Sequence, residues 1–414
     1  MRSGVASVGA NKVSRNVPGG INLSQSRHGS EMKLKVTLVR SRSTDAATLR
    51  VATNLSRVGY DVELIVWDRG GQFLADIEPG CRLRRFPLRV PYDRPSAVLF
   101  LPFWWAYETL ALLAHNADII HACDLDTLYP AILSKFAKKA KLCYTIYDFY
   151  ANNVHVQGLP RVAKVLRHFI ASAERLGMGF ADALFIPDES RLKEIKVPRS
   201  RRVTLLYNSP EDVISATVTS KNRSDRDFHI FYAGVLAWAA RGLGHMVEAV
   251  RNLEGVTLTL AGTGPDEALF EEVTRELTNV RFVGWIPSYQ EVLRREMESD
   301  LLFRFIDPNI PKSRYESPNK LFEAMMCSKP IMVSDGGRMA DLVIAEECGL
   351  VVRFGDVIGI RNAIIKLRDD PALRAQLGKN GRRAYEQRYN GDEMTRRLLA
   401  AYKDLGRSSD ATKR

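Results

Sequence analysis

The sequence is poor in the residues that build metal centres and disulfide frameworks. It has seven histidines and five cysteines in 414 residues, and the cysteines form no C-x-x-C pair. An odd, scattered set of cysteines is typical of a reducing compartment. We therefore expect no disulfide framework, no metal site and a cytoplasmic protein.

Long uninterrupted hydrophobic runs are also lacking. Residues 1–32 contain no apolar segment of the signal-peptide type and are rich in Ser, Gly, Asn and Arg, which predicts a disordered tail. The stretch nearest to membrane length, 96–115, is interrupted by Pro102 and Glu108. Two interpretations are open for it: a helix packed in the core, or a helix with one face on a bilayer.

Positive charge is in excess, with a formal net charge of +12. This excess suits nucleic acid, anionic lipid or phosphorylated substrates, and equally a soluble protein with a basic surface. Because the sequence has no nucleic-acid recognition motif, we expect no nucleic-acid partner.

Two halves of the chain alternate short β-branched runs with longer helical patterns. Near-continuous apolar strands separated by helices are typical of doubly wound parallel sheets. We predict an α/β protein with a Rossmann-like domain over 33–211, a linker over 212–227 and a second such domain over 228–388. A helix over 389–405, which could cross back to the first domain, precedes a tail over 406–414. Two such domains place a ligand cleft between the carboxyl ends of their strands.

The segment "SPNKLFEAMMCSKP", which starts at Ser317, predicts a helix with an anion site at its beginning. Ser317 suits the N-cap, and Pro318 suits the first helical position. The next N–H groups lack intrahelical partners and carry the positive end of the helix dipole, which favours a diphosphate. These groups belong to Asn319, Lys320 and Leu321.

Glu323 lies one turn further along the same helix, and its side chain tilts towards the helix start. A carboxylate beside a phosphate site suits the paired hydroxyls of a ribose. The alternative is an i,i+3 ion pair between Glu323 and Lys320 on the surface.

These residues carry a family resemblance. "YESPNKLFEAMMCSKPIMVSDGG" resembles the donor-binding segment of glycosyltransferase family 4, the retaining group 1 glycosyltransferases of GT-B fold. The resemblance includes "FYAGVLAWAARGL", "LTLAGTGP" and "VRFVGWIPSYQEVL", and in the first half "GYDVELIVWDR", "DIIHACDLDTLYPAIL" and "YNSP". It implies transfer of a sugar from a nucleotide diphosphate sugar, bound on the second domain, to a hydroxyl acceptor on the first, with no metal cofactor.

The resemblance also implies roles on the donor side. Glu323 takes the place of the glutamate that holds ribose, and Arg241 that of the lysine that contacts the diphosphate. Gly234 begins the loop beneath the donor, and Gly262 and Gly264 form a turn lining the nucleotide.

The chain departs from the family pattern at several positions. Glu316 is one residue closer to Glu323 than usual, and it remains a candidate for contact with the donor sugar. The usual arginine after the loop glycine is Val235, which leaves Arg241 and Lys320 as the diphosphate cations.

On the acceptor side, Tyr147 and Cys123 replace histidines that are frequent in the family. Tyr147 is a candidate donor to a sugar hydroxyl, with Asp148 beside it as an acceptor or base, and a core tyrosine is the alternative. His121, Asp124 and Arg50 are further candidates. Arg50 lies in a basic segment that suits either a phosphorylated acceptor or plain solvation.

The helical pattern over 161–179 has an apolar face surrounded by basic residues. Such a helix can lie on an anionic membrane, which would suit a polyprenyl-linked acceptor at the inner face of the plasma membrane. We favour the simpler interpretation, in which the apolar face packs against the helix's own sheet.

Two other functions are open. A nucleotide-sugar epimerase of the same fold would need acid and base groups in the cleft, in a sequence poor in histidine. A catalytically inactive nucleotide-sugar-binding subunit is suggested by Val235, Tyr147 and Cys123.

Overall fold

The structure is a computed structural model that describes residues 33–42, 46–70, 80–90, 95–154, 160–197, 202–214, 227–310 and 319–412. The predicted tail over 1–32, most of the predicted linker, Glu316 and Pro318 lie outside the described residues.

The first half of the chain forms a seven-stranded parallel sheet with the order β3-β2-β1-β4-β5-β6-β7. Its strands are β1 Lys35–Arg40, β2 Asp61–Trp67, β3 Cys81–Phe86, β4 Ile119–Cys123, β5 Lys141–Thr145, β6 Ala183–Ile186 and β7 Val203–Leu205.

The second half forms a six-stranded parallel sheet with the order β10-β9-β8-β11-β12-β13. Its strands are β8 Phe228–Val235, β9 Val256–Thr263, β10 Val280–Phe282, β11 Leu301–Arg304, β12 Ile331–Ser334 and β13 Gly349–Val352. The predicted fold class, two parallel α/β domains, is confirmed.

Helices connect most successive strands in the described part of the chain. They are α1 Ala46–Arg57, α2 Leu101–Ala114, α3 Leu125–Lys138, α4 Pro160–Met178, α5 Ser190–Ile195, α6 Leu243–Val250, α7 Glu267–Arg275, α8 Tyr289–Glu298, α9 Asn319–Met326, α10 Arg338–Glu346, α11 Val357–Asp369, α12 Pro371–Ala384 and α13 Gly391–Thr412. Short 3₁₀ segments span Pro95–Phe100 and Tyr150–Asn153, and a π turn spans Tyr385–Tyr389.

Helix α13 returns from the second sheet and packs on the first. Leu398 and Tyr402 are buried in one hydrophobic cluster with residues of β1 and β2. The hydroxyl of Tyr402 lies 2.6 Å from Nδ1 of His121 in β4. The helix continues to Thr412, beyond the predicted end at 405, because a lone glycine at 406 weakens a helix by only about 1 kcal/mol.

The packing of helix α4 differs from the prediction made from the sequence. The face expected to pack against the sheet is exposed, with 71% of Val165 and 70% of Phe169 accessible to solvent. A neighbouring stripe of mainly smaller residues packs inward instead, including Ala163 and Ala171. The helix has two apolar stripes, and small side chains allow the closer approach to the sheet.

Candidate functional site

The carboxyl ends of the strands of the two sheets meet across a cleft. Asp188 follows β6 in the first sheet, and Arg338 follows β12 in the second. The Arg338 guanidinium donates through Nε to Asp188 Oδ2 at 3.1 Å and through Nη2 to Glu189 Oε2 at 3.2 Å. Because ligands of open α/β sheets bind beyond the carboxyl ends of the strands, this edge is the candidate site.

Glycines at the ends of β8 and β9 let two loops approach each other at this edge. Gly262 has a φ of +131°, and a Cβ there would lie 1.8 Å from the carbonyl oxygen of Gly234. A Cβ on Gly264 would lie 2.2 Å from the carbonyl oxygen of Leu236. Neighbouring backbone therefore excludes a side chain at Gly262, which lies against Gly234, and at Gly264, which lies against Leu236.

Glu323 and Lys320 lie in a buried network between α8 and α9. Lys320 Nζ donates to Glu323 Oε2 and to Glu296 Oε1, each at 2.7 Å. The Tyr289 hydroxyl donates to Glu323 Oε1 at 2.9 Å. The i,i+3 pair expected as the alternative is thus present, but Glu323 is only 6% exposed and Glu296 is fully buried.

The network holds one cation between two carboxylates, so it favours ionisation of only one of them. Burial raises the pKa of Glu296 to about 8, although Lys320 acts against it. Burial alone would also raise the pKa of Glu323, but Lys320 and the Tyr289 hydroxyl lower it below its ordinary value. Arg50 of α1 lowers it further. Glu323 is therefore the ionised member, and a residue of the first domain acts on it.

Lys320 keeps its charge in this network. Burial alone would lower its pKa, but Glu296 and Glu323 raise it above the ordinary value. The ammonium that was predicted to contact a diphosphate is thus already engaged by two carboxylates. Arg241 lies half-buried after β8, and Val235 at the end of that strand is 51% exposed.

Asp124 organises the first-domain side of the cleft from a buried position. Its Oδ1 accepts from the backbone N–H of Tyr147 at 2.8 Å and of Asp148 at 3.0 Å. Its other oxygen pairs with Arg40, whose guanidinium lies 4.7 Å from the centre of the Tyr147 ring. Burial raises the pKa of Asp124 to about 6 against the effect of Arg40. Asp124 therefore positions the two predicted acceptor-side groups, which are themselves half-buried.

His121 lies behind the cleft wall. It is 1% exposed, and its Nε2 lies 2.6 Å from Thr145 Oγ1 while Nδ1 faces Tyr402. Burial lowers its pKa to about 3, so the ring is neutral. The structure thus places His121 in the core and not among groups exposed to an acceptor.

Arg50 and Tyr147 line a small cavity with Tyr207, Asn208 and residues of α13. Its volume of about 50 Å³ suits a few water molecules and not a sugar ring. Donor and acceptor would have to occupy the open cleft. The described ranges contain no cluster of three or more His, Cys, Asp or Glu side chains that could hold a metal.

Sequence reasoning did not identify Tyr289, Glu296 or the Arg338–Asp188 pair. Tyr289 stands within the quoted "VRFVGWIPSYQEVL", so that segment held a signal. Glu296 reads as an ordinary polar position of a charged helix, and its burial depends on α9 packing against α8.

Comparisons with known proteins agree with this architecture. The family described as "Glycosyl transferase 4-like domain" matches residues 44–208, and "Glycosyl transferases group 1" matches 227–370. The chain is 31% identical over 169 residues to the lipopolysaccharide core biosynthesis glycosyltransferase LpsD of Rhizobium meliloti (strain 1021), covering 40% of this chain and 45% of LpsD. The chain spans less than half the length of the first curated relatives it matches.

Solved structures share the whole fold. Sucrose-phosphate synthase of Thermosynechococcus elongatus superposes with a TM-score of 0.71 at 18% identity, covering 91% of this chain and all of that one. Anabaena HepE, solved with UDP and glucose, gives 0.64 at 16% identity, covering 89% of this chain and 99% of HepE. The two family matches and the shared pair of sheets together establish that this chain belongs to the group 1 glycosyltransferases and has the GT-B fold.

Proposed function

We propose that this protein transfers a sugar from a nucleotide diphosphate sugar to a hydroxyl of a glycan or polyprenyl-linked acceptor, with retention at the anomeric carbon. The observation that carries the proposal is the buried carboxylate of Glu323 in the first turns of α9, where it accepts from Lys320 and Tyr289. HepE, which has a similar fold, was solved with UDP and glucose, and this supports a nucleotide sugar as the donor.

In this proposal the donor binds through the second domain. The amino-terminal end of α9 and Arg241 offset the charge of the leaving diphosphate, so the reaction needs no metal for that purpose. Glu323 accepts hydrogen bonds from the ribose hydroxyls. Glu323 Oε1 also accepts a hydrogen bond from the Tyr289 hydroxyl. Ribose binding would either break that hydrogen bond or add a second one to the same oxygen. Glu316 is proposed to contact the donor sugar.

The acceptor binds against the first domain. Tyr147 donates to a sugar hydroxyl, and Asp148 accepts the proton of the attacking hydroxyl or orients it. Asp124 positions both through their backbone N–H groups. LpsD is a lipopolysaccharide core enzyme by name, which supports a glycan or lipid-linked acceptor.

The first test is calorimetric titration of the full chain with UDP, GDP, ADP, TDP and CDP. We expect one of them to bind, and Glu323→Gln to weaken that binding roughly tenfold or more, because a charge-assisted hydrogen bond contributes about 1.5–3 kcal/mol. The matched control is Glu298→Gln, a partly exposed carboxylate of α8 outside the network, which should bind like the wild type.

Turnover separates the proposed activity from the alternatives. Transfer that requires an added acceptor supports the glycosyltransferase. Interconversion of the nucleotide sugar without acceptor would indicate an epimerase, and binding without any turnover would indicate an inactive subunit. Failure of all five nucleotides to bind the folded wild type would contradict the proposal itself.

A further inference from the structure

Helices α2, α3 and α4, with the 3₁₀ segment that leads into α2, expose large apolar side chains to solvent on one side of the first sheet. Between 62% and 73% of the residue surface is accessible at Leu99, Phe103, Leu110, Phe136, Val165 and Phe169. Single exposed apolar residues are normal, whereas contiguous ones mark an interaction site.

The exposed residues belong to one continuous surface. Helix α2 contacts α3, where Trp105 Nε1 donates to the carbonyl oxygen of Asp126 at 2.9 Å. Helix α3 contacts α4, where the Tyr129 hydroxyl donates to the carbonyl oxygen of Ala173 at 2.8 Å. All three helices pack their inner sides into the same core cluster. We call their outward side the three-helix face.

The charge on the three-helix face has one sign. The acidic residues of these helices are Glu108, Asp126 and Glu174, and all three are buried. The exposed charged side chains on and directly after these helices are basic, at Lys138, Lys139, Arg161 and Lys164. Large apolar side chains with exposed cations on the same three helices are complementary to a bilayer with anionic head groups.

Helix α2 is held in the protein core, which excludes a crossing of the bilayer by this helix. Residues 97–114 have the length and apolar composition of a membrane span. However, Trp104 and Glu108 are fully buried, and the Trp104 ring stacks on Trp67 of β2 at a centroid distance of 5.7 Å. Removing α2 from the sheet would open this core, so the outward side alone is available to lipid.

We propose that the three-helix face docks the protein on an anionic bilayer. Apolar side chains enter the interfacial region while the flanking cations contact lipid head groups. This inference rests on the first domain alone and does not depend on the donor site.

The experiment is co-sedimentation of the full chain with vesicles of phosphatidylcholine, with or without about 30 mol% of the anionic lipid phosphatidylglycerol. No nucleotide sugar is added, so failure here is distinct from failure of the donor site. We expect binding to the anionic vesicles that weakens as salt is raised.

Two kinds of variant test the surface. Val165→Ser with Phe169→Ser should lose at least about tenfold in vesicle affinity, and Lys164→Glu should weaken it about fivefold or more. Both residues of the first variant are largely exposed, so the fold should be retained. The matched control is Ile358→Ser in α11, which is equally exposed at 73% but lies on the second domain and should bind normally.

Three results would overturn the inference. The wild type could remain in solution with both kinds of vesicle, or the double variant could sediment like the wild type. Alternatively, gel filtration could show that the wild type self-associates and that the double variant is monomeric, which would identify the face as a contact between copies of the chain.

Discussion

Replacing Glu296 by glutamine should stabilise the protein at alkaline pH and leave it nearly unchanged at acid pH. Lys320 is placed between two buried carboxylates, 2.7 Å from each. Glutamine keeps an oxygen that can accept from the Lys320 ammonium, but it cannot ionise. The variant therefore retains the hydrogen bond and removes the second negative charge.

The magnitude follows from the pKa of Glu296, which burial raises from an ordinary value of 4.5 to about 8. Between these values the folded state holds a proton that the unfolded state releases. Stability from this group is present below pH 4.5 and is lost as the pH rises to 8. At about 1.36 kcal/mol per pKa unit, the loss in free energy of unfolding is on the order of 3–5 kcal/mol.

Urea unfolding at pH 5, 7 and 8.5 tests this expectation. Groups that titrate alike in both proteins do not contribute to the difference in free energy of unfolding between Glu296→Gln and the wild type. This difference should be near zero at pH 5 and should grow in favour of the variant as the pH rises, whereas Glu298→Gln should show no such trend. A difference independent of pH, or a variant less stable at pH 8.5, would mean that Lys320 keeps both carboxylates ionised and would refute the reasoning.

Three further variants test other parts of the structure. Tyr402→Phe leaves buried His121 without this partner at Nδ1 and should reduce the free energy of unfolding, measured in urea, by about 1–3 kcal/mol. An unchanged free energy of unfolding would argue against this hydrogen bond. Gly262→Ala should abolish nucleotide binding or soluble expression because its Cβ would meet the Gly234 carbonyl, and a stable, binding variant would contradict the close loop contact. Arg338→Met breaks the ion pair across the cleft and should speed hydrogen exchange in the loops after β6 and β12, whereas unchanged exchange would show that the pair does not hold them.

The periodicity of apolar residues predicted most of the strands and helices, but it did not predict the edge strand β3 or the outward side of α4. Central strands such as β1 and β8 are mostly apolar because both faces are covered, and this pattern is visible in the sequence. The edge strand β3, Cys81–Phe86, reads CRLRRF, and its basic residues concealed a period-two alternation. The outward side of α4 was predicted wrongly because an apolar stripe does not tell whether protein or another medium covers it.

The candidate site was predicted in its local part only. The proximity of Lys320 and Glu323 follows from their spacing along one helix. Glu296 and Tyr289 reach that pair from α8, and no local pattern encodes a contact between two helices. Whether a titratable group is buried is a property of tertiary packing, so the pKa values of this network are visible only in the structure.

The return of α13 to the first sheet makes the first domain discontinuous in the chain. The two crossings between the domains are bonded to each other, since the Tyr385 hydroxyl donates to the carbonyl oxygen of Pro210 at 2.8 Å and Arg382 pairs with Asp212. Residues 391–412 thus complete a core that β1 and β2 begin. During synthesis the first domain would remain unfinished until the second had left the ribosome, and truncation before Gly391 would damage the domain farther away in sequence.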